Sequence, residues 1–166
     1  MILDPTTGIF TLDSGAQLDP GLTRAAFLAT SEGQTAEAWA GPHYRFFTTG
    51  GTLGLVAYFY PPAWPKRPTA PTDRLSAVDF WLAGPAYAQS WDGWSAERER
   101  QQQHDTVRWL AGHGLDLRPI ADGQHEAVLP WGKVGIYYDF KDGGFYNRLL
   151  YAPPPPPNKA VVAGAN

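Results

Sequence analysis

Two apolar runs, residues 44–47 and 53–60, flank Thr48-Thr49-Gly50-Gly51, and no other segment of the chain narrows the fold as much. Aromatic and β-branched side chains suit a pleated, half-buried surface, and glycine takes the positive φ of a tight turn without steric cost. The pattern predicts two adjacent antiparallel strands joined by a hairpin. A second unit of the same kind closes the core, where residues 134–140 and 145–151 flank Lys141-Asp142-Gly143-Gly144. A third strand is expected at residues 75–82, and a short one at residues 9–12 after the turn formers Asp4-Pro5-Thr6-Thr7-Gly8.

Two helices are expected beside these strands. Thr23 can cap the first, with Leu22 and Phe27 at the positions of a hydrophobic staple, and this helix should end near Gly33. The longer one spans residues 96–111, with Ser95 as N-cap, Glu97 in the first turn, and Gly112 or Gly114 as terminator. Its first half is polar on every side, whereas the second carries Val107, Trp109, Leu110 and Ala111, so only the second half is expected to dock on a core. The fold class that follows is α+β, an antiparallel sheet of about five or six strands with one long and one short helix, because no strand-helix-strand alternation is visible.

Proline sets the limits of this domain. Residues 61–71 hold five prolines, which disfavour regular hydrogen bonding and predict an extended surface loop. Residues 153–157 are five prolines in succession, so residues 1–152 are expected to form a single domain and residues 153–166 a disordered proline-rich tail. A chain of 166 residues with 43% hydrophobic and 14% aromatic content has enough bulky surface for one core.

Composition excludes several functions. A net charge of −3, with thirteen basic residues scattered among sixteen acidic ones, lacks the concentrated basic footprint of a nucleic-acid binder. The absence of cysteine removes disulfides, thiolate nucleophiles and cysteine metal sites. No run approaches the ~18 apolar residues of a membrane span, and residues 1–5 lack a secretory signal pattern, so a cytoplasmic location is the expectation.

Reactive constellations are sparse. His104 and Asp105 are adjacent on a helix and point about 100° apart, so catalysis by His104 would need a distant carboxylate such as Asp139 in a sheet-helix pocket. Glu97 and Glu99 project to nearly opposite sides and each has an arginine within reach. His104, His113, His125 and Glu126 lack the helical i, i+4 histidine spacing of a zinc-protease motif, and no cofactor fingerprint is present. Neither a metal nor a cofactor is therefore expected. Loop tryptophans are the remaining signal: Trp64 lies in the proline-rich segment, and Trp91 and Trp94 precede the long helix, positions that suit partner or carbohydrate contacts as well as packing at a sheet end. Trp131 is expected in the core.

Four ordered segments carry a resemblance: Asp4-Pro5-Thr6-Thr7-Gly8; residues 20–28; Ser90-Trp91-Asp92-Gly93-Trp94-Ser95 with His104-Asp105 and Trp109-Leu110; and Pro130-Trp131-Gly132-Lys133-Val134 with Tyr138-Asp139. Together they resemble a group of small, functionally uncharacterised bacterial proteins. That likeness brings no catalytic residue; by analogy with small bacterial proteins of this character it points to immunity proteins, which neutralise a secreted toxin. The expected function is a non-enzymatic protein-binding module. Its expected partner surface comprises Trp64, Trp91, Trp94, Glu97, Arg98, Arg100 and Gln101.

Overall fold

The computed structural model describes residues 2–39, 41–48, 50–60, 70–84, 87, 95–139 and 144–152. Three strands, β1 (Ile2–Leu3), β2 (Phe10–Thr11) and β3 (Gln17–Leu18), form a small antiparallel sheet. Two short helices follow, α1 (Arg24–Leu28) and α2 (Ser31–Thr35). Then come β4 (Glu37–Ala38), β5 (His43–Phe47), β6 (Leu53–Tyr60), β7 (Arg74–Leu82), the long helix α3 (Ala96–Gly112), β8 (Arg118–Ala121), β9 (Gln124–Leu129), β10 (Gly132–Asp139) and β11 (Gly144–Tyr151). The last eight strands make one antiparallel sheet in the order β4-β5-β6-β7-β11-β10-β9-β8.

This architecture corrects the expectation of an α+β fold with five or six strands and two helices. The described chain is mainly β, with an eight-stranded and a three-stranded sheet and three helices. Both expected hairpins are present: β5 pairs with β6 and β10 with β11, and Gly50 and Gly51 take φ of 89° and 65°. The extra strands are short or polar. All four residues of β8 are exposed and β4 has only two residues, so neither carries an apolar alternation that a sequence reading can detect. Nor does the first helix continue to Gly33: Thr23 caps α1 at the Ala26 amide as expected, but a second cap, Thr30 on the Gly33 amide, starts α2 separately.

The core lies on one face of the large sheet. Leu53, Leu55, Ala57 and Phe59 of β6, Val78 and Phe80 of β7, Leu149 and Tyr151 of β11, and Val134 and Ile136 of β10 are buried there. Phe27 of α1 sits at one centre of this layer, its ring 5.3 to 5.7 Å from those of Phe59, Phe46 and Tyr44. Burying a side chain of this size stabilises the fold by about 1.5–3 kcal/mol. Trp109 of α3 forms a second centre between Phe10 and Phe80.

The small sheet covers the same face. Tyr151 places its hydroxyl 3.1 Å from the Gly8 and Leu18 carbonyls, and Trp131 donates from its indole to the Pro5 carbonyl at 2.9 Å. Gly8 has φ of 72° and lies against the Trp131 indole, so a β-carbon there would be strained by the backbone and would collide with the ring. Trp131 is thus half-buried against the core, in line with its expected packing role.

α3 is docked along its length, contrary to the expectation for its polar half. Leu110 and Thr106 are fully buried, and Gln103 nearly so. In the first turns the Glu99 carboxylate accepts the Phe145 amide at 2.8 Å, and the Gln102 side chain donates to the Leu82 carbonyl at 2.8 Å. Polar side chains hold this end because each terminates in a specific backbone hydrogen bond rather than in apolar contact.

Candidate functional site

Helices and the small sheet occupy one side of the large sheet; among the described residues, no element packs against the other. Strand alternation sends His43, Arg45 and Phe47 of β5, Tyr58 and Tyr60 of β6, Asp79 and Trp81 of β7, and Tyr146, Arg148 and Leu150 of β11 to this open face. Four of the large apolar side chains most accessible to solvent are here: Trp39 after β4, Phe47, Val128 of β9 and Leu150.

Register turns these side chains into ordered rows. Glu37 of β4 is opposite Arg45, Arg45 opposite Val56, Val56 opposite Asp79, and Asp79 opposite Arg148. The row continues from Arg148 to Gly135 of β10, to Glu126 of β9 and to Arg118 of β8. All eight strands are crossed by one line of residues in which acid and base alternate, spaced by Val56 and Gly135. Directly opposite opposite-charge pairs each contribute roughly 0.2–1 kcal/mol.

The centre of the row is Arg148. Its Nε and Nη2 donate to the two carboxylate oxygens of Asp79 at 2.5 and 2.8 Å, and the Tyr58 hydroxyl donates to the same carboxylate at 2.5 Å. The guanidinium carbon lies 5.0 Å from the centroid of the Tyr58 ring and 5.1 Å from that of Tyr146, a cation–π arrangement that adds to the bidentate pair. Hydrogen bonding to Asp79 raises the Arg148 guanidinium above its ordinary range against the opposing effect of burial, and it remains charged. Burial, reinforced by the Asp79 charge and hydrogen bond, pushes the Tyr58 hydroxyl well above the usual phenol range, so it acts as a donor.

Two further clusters flank this centre. Glu126 accepts from Lys133 at 2.8 Å and from the Tyr137 hydroxyl at 2.6 Å, contacts that hold its carboxyl below the usual range. On the other side, Arg45 bonds Glu37 at 2.6 Å and lies 4.2 Å from the Trp39 ring centroid. The His43 ring lies against Tyr58 at a tilt of 52°, with centroids 4.4 Å apart, and shares a hydrogen bond with the Tyr60 hydroxyl at 2.6 Å. Burial keeps the His43 imidazole below its ordinary range, with Asp79 opposing and Arg148 assisting. The result is a surface whose polar side chains are held in place by hydrogen bonds and ring contacts to one another.

The expected site residues are distributed differently. Trp64, Trp91 and Trp94 lie outside the described residues. Glu97, Arg98, Arg100 and Gln101 are exposed on the first turns of α3, where Gln101 donates to Asp105. His104 is also exposed and lines a depression with Gln101, Val107, Arg108 and His125, whereas Asp139 is the last residue of β10. Asp105 is engaged by Gln101, Tyr87 and Arg108. Of the four metal-ligand candidates, His104 and His125 share that depression, whereas His113 bonds the Trp109 carbonyl and Glu126 is committed to the open face.

Sequence reasoning missed the open face. Its charged members sit singly within strands of apolar and aromatic neighbours, as Asp79 does between Val78 and Phe80, and that isolation was the available signal. Among the described residues, no helix is long and apolar enough to cross a membrane.

Comparison with known proteins agrees with this architecture at the level of fold. No family model and no curated protein matches the sequence. A chain of the solved structure titled "Rhs1-CT in complex with cognate immunity protein RhsI1" is similar, with a TM-score of 0.58 and 15% identity over 91% of this chain and 86% of that one.

Proposed function

We propose that this protein is an immunity-type binding module that associates with a secreted bacterial toxin and blocks it without chemistry of its own. The observation that carries this reading is the open face of the large sheet: it spans eight strands, exposes Trp39, Phe47, Val128 and Leu150, and is ordered by ion pairs and tyrosine hydroxyls. Large exposed apolar groups around fixed polar anchors are the composition of a protein-binding surface. The fold likeness to a chain from a toxin–immunity complex supports the same reading. The exposed start of α3, with Glu97, Arg98, Arg100 and Gln101, is a second surface that such a partner can reach.

The test is co-expression and titration with the protein encoded by the neighbouring reading frame. A complex with Kd below about 1 μM, corresponding to roughly −8 kcal/mol, together with relief of that protein's toxicity, is the expected result. No complex at micromolar concentrations overturns the proposal.

A further inference from the structure

We infer that the epitope received by the open face is acidic: a protein segment presenting carboxylates to Arg118, Lys133 and Arg148, with apolar side chains for the rows on either side. This inference rests on the binding function proposed above and adds the place and chemistry of contact. It follows from which hydrogen-bonding groups the face has already used. Both oxygens of Asp79 are taken, one of them twice. Glu126 Oε2 accepts from both Lys133 and Tyr137, and Glu37 Oε2 accepts from Arg45.

The cations are less committed. A guanidinium carries five N–H donors and an ammonium three. Arg148 spends its Nε and Nη2 on Asp79, leaving Nη1, and Lys133 has one hydrogen bond among the described residues. Arg118 is a register neighbour of Glu126 and is exposed, but it has no ion pair among the described residues; Lys133 and Tyr137 are the groups that bond Glu126, both at Oε2. From β7 to β9 exposure follows the same division: the Asp79 and Glu126 side chains are each 17% exposed, against 34% for Arg148 and 40% for Lys133, whereas at the β4 edge Glu37, at 60%, is more exposed than Arg45, at 34%.

A partner that covers this face must supply acceptors, since a donor buried without one loses the water that satisfied it, and a charged donor loses most. Carboxylates meet that demand with charge as well as geometry, and a bidentate approach to an arginine is the strongest form. The rows beside the charged line contribute Leu150 and Val128 on one side and Tyr146 and Tyr137 on the other, which suits an acidic segment with apolar neighbours.

The experiment uses the toxin protein encoded by the neighbouring reading frame as titrant and the full chain as receptor. Arg118→Glu, on an exposed edge strand, and Lys133→Met, which keeps the aliphatic stem, are compared with Arg108→Glu, a charge reversal at an exposed α3 residue outside both proposed surfaces. The expected result is binding at least about tenfold weaker for either face variant, with reduced salt dependence. Zero-length carbodiimide coupling of the unmodified complex should also join Lys133 to an Asp or Glu of the partner, a readout that needs no substitution. Unchanged affinity in both face variants, with Lys133 uncoupled, overturns this inference and leaves the binding function standing. If the unmodified chain binds no toxin, both fall together.

Discussion

Arg148 and Asp79 stand directly opposite one another on β11 and β7, joined by two hydrogen bonds of 2.5 and 2.8 Å, although 69 residues separate them in the chain. The pair is half-buried between two tyrosine rings, so each charge depends on the other for compensation. Arg148→Met or Asp79→Asn should each cost about 2 kcal/mol, less than the loss of a fully buried pair because water still reaches the guanidinium. Chemical denaturation of both single variants and the double variant forms a cycle. A coupling energy near zero would show that the pair is incidental to stability.

His43 links the same cluster to pH. Burial favours its neutral form, so its folded pKa lies below the ordinary value of 6.5 and the unfolded chain binds the proton more readily. Its contribution is therefore complete above pH 6.5 and is lost as pH falls through that value, levelling off below the folded pKa. Melting temperature should drop between about pH 7.5 and about pH 5.5, and less steeply in His43→Gln. A histidine titration by NMR with a midpoint above 6.5 would contradict the assignment.

Leu110, which is completely buried, anchors α3 together with Trp109. Leu110→Ala should cost about 2–5 kcal/mol, from lost transfer energy plus a cavity that the surrounding sheet cannot close. The midpoint of urea unfolding measures this, and a loss below about 1 kcal/mol would mean that the helix repacks or is held mainly by its polar contacts.

Gly54 has no room for a side chain. On the open face, the Trp81 indole lies across it, with Phe47 packed edge-on to the same ring at 5.8 Å. Gly54→Ala should displace Trp81, costing about 1–3 kcal/mol from overpacking, and should shift the tryptophan emission. Wild-type stability with unchanged fluorescence would show that Trp81 does not rest there.

Local chemistry was enough to identify the hairpin of β5 and β6, the pairing of β10 with β11, and the capped starts of α1 and α3 at Thr23 and Ser95. Turn residues, caps and hydrophobic spacing act over a few positions, so the order of residues expresses them directly. β4, β8 and the outer strands of the small sheet, β1 and β3, had no such signal, because their pairing depends on a neighbouring strand already in place, whereas β2 falls within the short strand expected at residues 9–12. The division of the first helix at Thr30 was missed although a capping residue stood there.

The open face belongs wholly to tertiary structure. Glu37, Arg45, Asp79, Glu126 and Arg148 are scattered through the sequence, and the same charges that count there as dispersed become one line when the strands are set in register. A strand's two-residue period settles which side a residue faces once the buried side is known. Which strands adjoin, and therefore which charges meet, is decided only when long-range pairing closes the sheet.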